Sequence, residues 1–315
     1  MLNTEKTIQI SDYKIYNSKV KDRIKLTTLG DLHISPLVDD KKLEPIIRQI
    51  EKEQADYNIF LGDLIDSPKD LEDENKCKLL LKTLKRSADI APTMVILGSH
   101  DFVLESKSGN SIDFNYDFFN EANSLNNVNI LLNQTYKDDK IFFMGYLQTL
   151  KYYYNNIEKT HIEDLEAFYE DMVGRKNLYK NLPKDVPTVG LIHSPEYAKN
   201  EENVELLNEY DLLIGGHDHD GCVPFGLGKT RRGLISPKKE LFPKDVRGIR
   251  TLSSGTDLLI SGGIVKMGNS CPKIMQPLNY FCPMQMETVE LTADENYKNG
   301  IETSKRLVYT KNNLK

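Results

Sequence analysis

The chain reads as an α/β protein, because short apolar strands alternate with amphipathic helices along most of its length. A second observation narrows this class. Turns rich in Asp, His and Gly recur at Gly30-Asp31-Leu32-His33, Gly62-Asp63-Leu64-Ile65-Asp66, Gly98-Ser99-His100-Asp101, Ile192-His193 and Gly215-Gly216-His217-Asp218-His219. Each falls just past the C-terminal end of an expected strand, the edge where loops converge and ligands bind in α/β sheets. At 315 residues the chain can bury a large core in one domain or two. The turns run from Asp31 to His219, so one site needs both halves of that stretch. A single domain is expected over 1–294, followed by a polar tail over 295–315.

Ile24–Leu29 reads as the strand leading into the first turn. Lys42–Glu53 places Leu43, Ile46, Ile47 and Ile50 on one helical face. Tyr57–Leu61 is a strand ending at Gly62, and Lys76–Ala88 is a helix with Leu79, Leu80 and Leu84 as its stripe. Thr93–Leu97, Val186–Ile192 and Asp211–Ile214 are strands that run into Gly98, His193 and Gly215. Leu258–Val265 and Met286–Leu291 read as further strands, and the stretch after Asp294 as a loosely held tail. Leu150–Leu182 is Tyr-rich, with a helix expected over Ile162–Met172. It is either a cap insertion shaping substrate access or a surface excursion. The basic segment 229–250 carries Lys229, Arg231, Arg232, Lys238, Lys239, Lys244, Arg247 and Arg250 against Glu240 and Asp245. Solvated surface is its plain reading, with a phosphate-rich substrate or peripheral contact with an acidic membrane as the functional one.

Composition limits partners and compartment. A net charge of −6 counts against a chain-wide nucleic-acid surface. Met1–Lys14 lacks the apolar core of a signal peptide, and the longest apolar runs are strand-sized, too short for a transmembrane segment. Cys77, Cys222, Cys271 and Cys282 form no paired framework, so reduced thiols and a cytoplasmic location are expected. Cys222 reads as a packing residue, and His161 lies outside every turn.

Taken together, the turns supply Asp and His ligands for two metal ions and one further histidine for proton transfer. Such donors suit Mn²⁺, Fe²⁺ or Zn²⁺, and the lack of cysteine in any of these turns disfavours a structural zinc site. Phosphate esters repel nucleophiles, and two ions about 3.5–4 Å apart neutralise that charge, orient the ester and acidify a water. The series GDLH, GDLID, GSHD, IHS and GGHDH resembles the calcineurin-like metallophosphoesterase superfamily, whose pattern is DxH, GDxxD, GNH(D/E), an isolated H and GHxH. The resemblance spans roughly residues 24–220. It implies a two-sheet α/β sandwich of the metallophosphoesterase type with helices on the outer faces. By the same resemblance Asp31, His33 and His219 hold one ion, Asp63 bridges, and His193 and His217 hold the other. His100 is the implied general acid, oriented by Asp66. Ser99 stands where the family has a metal-ligating Asn; its shorter neutral hydroxyl implies a weaker second site or a water filling the gap.

Beyond Gly221, Leu241-Phe242-Pro243-Lys244, Arg247-Gly248-Ile249, Gly262-Gly263 and Cys282-Pro283 resemble a bacterial branch that includes membrane-associated and lipid-related phosphoesterases. The implied function is hydrolysis of small-molecule phosphomonoesters or phosphodiesters by in-line attack of metal-bound hydroxide. A DNA-repair-type metallonuclease is an alternative, as is a non-catalytic metal-binding scaffold weakened at Ser99. A protein Ser/Thr phosphatase is disfavoured, because Asp66-Ser67-Pro68 replaces that group's Asp-Arg-Gly.

Overall fold

A computed structural model of the chain describes residues 7–35, 38–106, 109–148, 152–153, 182–199, 203, 207–224, 232–268, 273–298 and 300–309. Two sheets face each other. The first has seven strands in the order β15 (Ile301–Tyr309), β1 (Thr7–Tyr16), β14 (Met284–Thr292), β2 (Ile24–Leu29), β3 (Tyr57–Leu61), β4 (Thr93–Ile96) and β7 (Val128–Ile130). The second has six, ordered β12 (Gly248–Thr251), β13 (Asp257–Ile260), β11 (Leu212–Gly215), β10 (Thr188–Ile192), β9 (Phe142–Tyr146) and β8 (Thr135–Lys137). A separate hairpin pairs β5 (Val103–Ser106) with β6 (Gly109–Ile112).

The period-two alternation of strand side chains builds three apolar layers. Ile59 and Leu61 of β3, with Leu191 of β10, Ile214 of β11 and Leu259 of β13, fill the space between the sheets. Phe60 points the other way, into a core shared with the helices α1 (Asp40–Glu53), α2 (Glu74–Ala88) and α3 (Tyr116–Ser124). Ile192, Leu213, Leu258 and Ile260 face the outer side of the second sheet, where Ala198, Leu207 and Tyr210 cover them. Strands covered on both faces read as continuous apolar runs, which is why β3, β10 and β11 stand out in the sequence. Helix starts are set locally: Asp39 accepts from the Lys42 amide at 3.1 Å, and Asp73 from Asn75 at 2.9 Å.

Strands β2, β3 and β4 are parallel to one another, as are β9, β10, β11 and β13. Their C-terminal turns are stitched to one another within each sheet. Asp31 N bonds Gly62 O and His33 N bonds Asp63 O, both at 3.0 Å, and Gly216 N bonds His193 O at 2.8 Å.

Two expectations need correction. The strand expected over Leu258–Val265 stops at Ile260, because the peptides of Ile264 and Val265 bond instead to Gly30 O and Asp31 O, at 3.0 and 2.9 Å. The loosely held tail expected after Asp294 is, over Ile301–Tyr309, a strand antiparallel to β1. Its residues are mostly exposed, so no apolar alternation marks it. Backbone pairing holds it, together with Arg306, whose Nε and Nη2 donate to the Asp12 carboxylate at 2.8 and 2.6 Å and whose Nη1 donates to Glu53 at 3.0 Å. His161, the Ile162–Met172 helix, most of the Tyr-rich stretch, and Lys229 and Arg231 lie outside the described residues.

Candidate metal centre

The strand-end turns deliver their side chains to one buried point. Asp31, His33, Asp63 and His219 form one donor group, Asp63, His193 and His217 a second, and the donor atoms within each lie within 4.8 Å of one another. Asp63 belongs to both. Its Oδ2 stands 3.1 Å from His193 Nε2 and 3.8 Å from His33 Nε2, while His219 Nε2 is 3.9 Å from Asp31 Oδ1.

Backbone geometry aims these groups. Asp31, His33, Asp63, His217 and His219 all have φ between 44° and 68°. Non-glycine residues in that left-handed region each cost about 1–3 kcal/mol, and such strain concentrates at functional sites. Close approach also requires glycine at position 98, where a Cβ would lie 2.2 Å from Asp63 Oδ1 and 2.6 Å from His193 Cε1. With that space free, the His100 amide donates to Asp63 Oδ1 at 2.9 Å.

Ring orientation is fixed from behind. His193 Nδ1 bonds Leu61 O and His219 Nδ1 bonds Val265 O, each at 2.6 Å. A carbonyl only accepts, so Nδ1 carries a proton in each ring and Nε2 is the atom turned to the centre. His33 is held differently, with Nδ1 3.3 Å from Asp66 Oδ1. Asp66 does steady His100, but through its main-chain carbonyl, 2.7 Å from His100 Nδ1; its carboxylate faces His33. His33 in turn stacks on His219 at 5.1 Å and meets His100 edge-on at 4.6 Å. Ser99 is buried at the start of the turn whose next amide binds Asp63.

The charge pattern suits cations. Burial works against ionisation of Asp63, yet His193, His100 and His33 hold its carboxyl well below the usual range. Burial likewise opposes charge on His193, but Asp63 outweighs it and raises the ring to about 9, so a cation bound beside Asp63 would take the place of the Nε2 proton. Burial pushes His219 down to about 4 and His217 well below its ordinary value, so both are neutral donors at physiological pH. Asp31 Oδ2, Asp63 Oδ2, the Nε2 atoms of His33 and His193 and both ring nitrogens of His217 are buried without a hydrogen-bond partner. Buried polar atoms are rarely left unpaired, and so many of them converging on one point fit two bound divalent ions.

Supporting groups escaped the sequence reading. Asp101 is fully buried and accepts from the amides of Leu64 (2.8 Å), Ile65 (3.3 Å) and Gly98 (2.8 Å), locking the second turn to the third. Its position directly after His100 was the available signal. Tyr153, from the Tyr-rich stretch, lies 5.3 Å from the His217 ring and 5.6 Å from His193, with its hydroxyl on Gln148. The loop after β13 backs the first donor group: Gly263 abuts Asp31, Val265 holds His219, and Gly268 abuts Asp66.

The sequence profile of the calcineurin-like phosphoesterases matches residues 24–221. The chain belongs to that family. An uncharacterized metallophosphoesterase of Aquifex aeolicus is 24% identical over 267 residues, covering 82% of this chain and 84% of the relative. A second, from Campylobacter jejuni, is 24% identical over 300 residues, covering 92% of this chain and 64% of the relative. A dimetal phosphatase of Danio rerio aligns with 76% of this chain and 87% of its own, at 12% identity and a TM-score of 0.42. Family membership and the buried Asp/His cluster together support phosphoesterase activity at a dimetal centre.

Ser99→Asn should tighten the weaker of two binding steps by about tenfold, the lower end of what changes around a metal produce. Calorimetric Mn²⁺ titration of the stripped proteins measures this, and superimposable isotherms would contradict the role given to Ser99.

Proposed function

We propose that the chain is a binuclear metal-dependent hydrolase of phosphomonoesters or phosphodiesters, with His100 as general acid. The observation that carries this reading is Asp63, one carboxylate shared between two donor groups at 3.1 and 3.8 Å from histidines of opposite sides. Ions held by Asp31, His33, Asp63 and His219 and by Asp63, His193 and His217, Mn²⁺ among them, would neutralise phosphate charge and acidify an attacking water. Attack in line on phosphorus expels the leaving oxygen, which needs a proton. His100 can supply it: Nδ1–H is fixed on Asp66 O, so Nε2 is the atom that gains and loses the proton. Its ring is partly exposed where the neighbouring donors are almost fully buried, as a group meeting substrate requires.

A surface observation favours a further reading, that substrate is met at an anionic lipid surface. Leu241, Phe242, Ile274, Tyr280 and Phe281 are each more than half exposed, and Lys239, Lys244 and Lys273 are exposed beside them in sequence. Both segments pack on the Cys222, Met267 and Cys282 cluster, just beyond His219. Exposed apolar residues with lysines beside them in sequence suit peripheral contact with acidic headgroups.

His100→Ala should keep both ions and lower turnover of alkyl phosphate esters by about 10²–10⁴-fold, with a much smaller effect on nitrophenyl esters. A panel of monoesters, diesters and pyrophosphates with added Mn²⁺ measures it. Loss of the ions in this variant, or unchanged alkyl-ester turnover, would contradict the assignment. The wild-type chain should also sediment with phosphatidylcholine–phosphatidylglycerol vesicles, and Ile274→Glu with Phe242→Glu should weaken this about tenfold. Absence of binding, or binding that the substitutions leave unchanged, rules out the lipid contact.

A further inference from the structure

Left-handed backbone does not stop at the ligands of the last turn. His217, His219, Asp220 and Cys222 have φ of 68°, 48°, 60° and 54°, with Gly221 at 57° between the last two. Such a run costs several kcal/mol unless surrounding contacts hold it. Asp220 makes those contacts. Its carboxylate is fully buried, with Oδ1 2.6 Å from Arg247 Nη1 and Oδ2 2.5 Å from Gln285 Nε2.

The two partners come from different sheets. Arg247 directly precedes β12 of the second sheet, and Gln285 lies on β14 of the first. Gln285 also donates its amide to Gly263 O at 3.0 Å, and Gly263 packs on Asp31. Arg247 belongs to the basic segment, yet its side chain is only 10% exposed, so this charge is not part of a solvated face. The same segment is pressed on the turn at Gly221, where a Cβ would lie 2.4 Å from Gly233 Cα and Leu234 N bonds Gly221 O at 2.7 Å.

We propose that Asp220, clamped between Arg247 and Gln285, is a positioning residue that fixes the His217–His219 turn and so sets affinity for the ion that His219 would hold. The clamp touches no substrate, and its effect passes through the histidine on the preceding residue. It rests on the dimetal reading of the centre but not on any choice of substrate.

Mn²⁺ and Co²⁺ titrations of metal-stripped Arg247→Ala, Arg247→Lys and Gln285→Ala, with the Co²⁺ absorption spectrum as a second readout, test it. Arg247→Ala should weaken one of two binding steps by about 10–100-fold and alter the spectrum, the size expected when a group behind a metal ligand is lost. Arg247→Lys should recover part of the loss, because it keeps the charge with a single donor. Should Arg247→Ala fail to fold by circular dichroism, Gln285→Ala, which keeps the ion pair, carries the test with a smaller loss at the same step. Wild-type affinity at both steps in the folded variants overturns the proposal, as does a wild-type chain that takes up no second ion. A wild-type chain that binds two ions, shows the expected loss in Arg247→Ala, and hydrolyses no phosphate ester leaves the positioning role standing and removes the catalytic one.

Discussion

The carboxylate of Asp63 is the constraint on which the remaining geometry depends. A buried carboxylate without full pairing is costly, and this one is held ionised by histidines from three other turns and by the His100 amide. To place it there, β3 must be followed by left-handed backbone at Gly62 and Asp63, and the turn after β4 must carry no side chain at Gly98. Both sheets therefore converge on a point that is satisfied only when cations join the buried oxygens and nitrogens. Fold and chemistry share one requirement.

What keeps the strained turns in place is a set of buried polar groups behind them. Asp101 ties the second turn to the third through three amides. Glu287, on β14, accepts from Ser261 Oγ at 2.5 Å and Gly262 N at 3.0 Å, while Lys266 Nζ donates to the carbonyls of Gly262 and Gly263, so the loop that backs Asp31 and His219 is braced from both sides. Burial raises Glu287 to about 7 against these hydrogen bonds. Local strain at the candidate donors is thus offset by contacts from groups that are not among them.

Much of this was legible in the sequence for a physical reason. Strands buried on both faces must be apolar throughout, and each ended at a turn whose residues carry the chemistry, so strand ends and donors were readable together. The six Asp and His donors that the family resemblance implied lie together in two groups that share Asp63. The misses share a cause too. Strand β15 is held by backbone pairing and Arg306 and buries little apolar surface, so no periodicity announced it. Asp66 reaches His100 through a main-chain carbonyl, and a residue's backbone contacts cannot be read from its side-chain type. Arg247 looked like one more surface charge until Asp220, distant in sequence, was seen beside it.

The central claim is that one carboxylate serves both donor groups, and counting metals in Asp63→Ala tests it most directly. Metal content per folded chain, by elemental analysis after equilibration with Mn²⁺, should fall from two ions to none, whereas His217→Ala should lose only one. An Asp63→Ala chain that stays folded and keeps one ion at wild-type affinity would show that the groups are independent and that Asp63 does not join them.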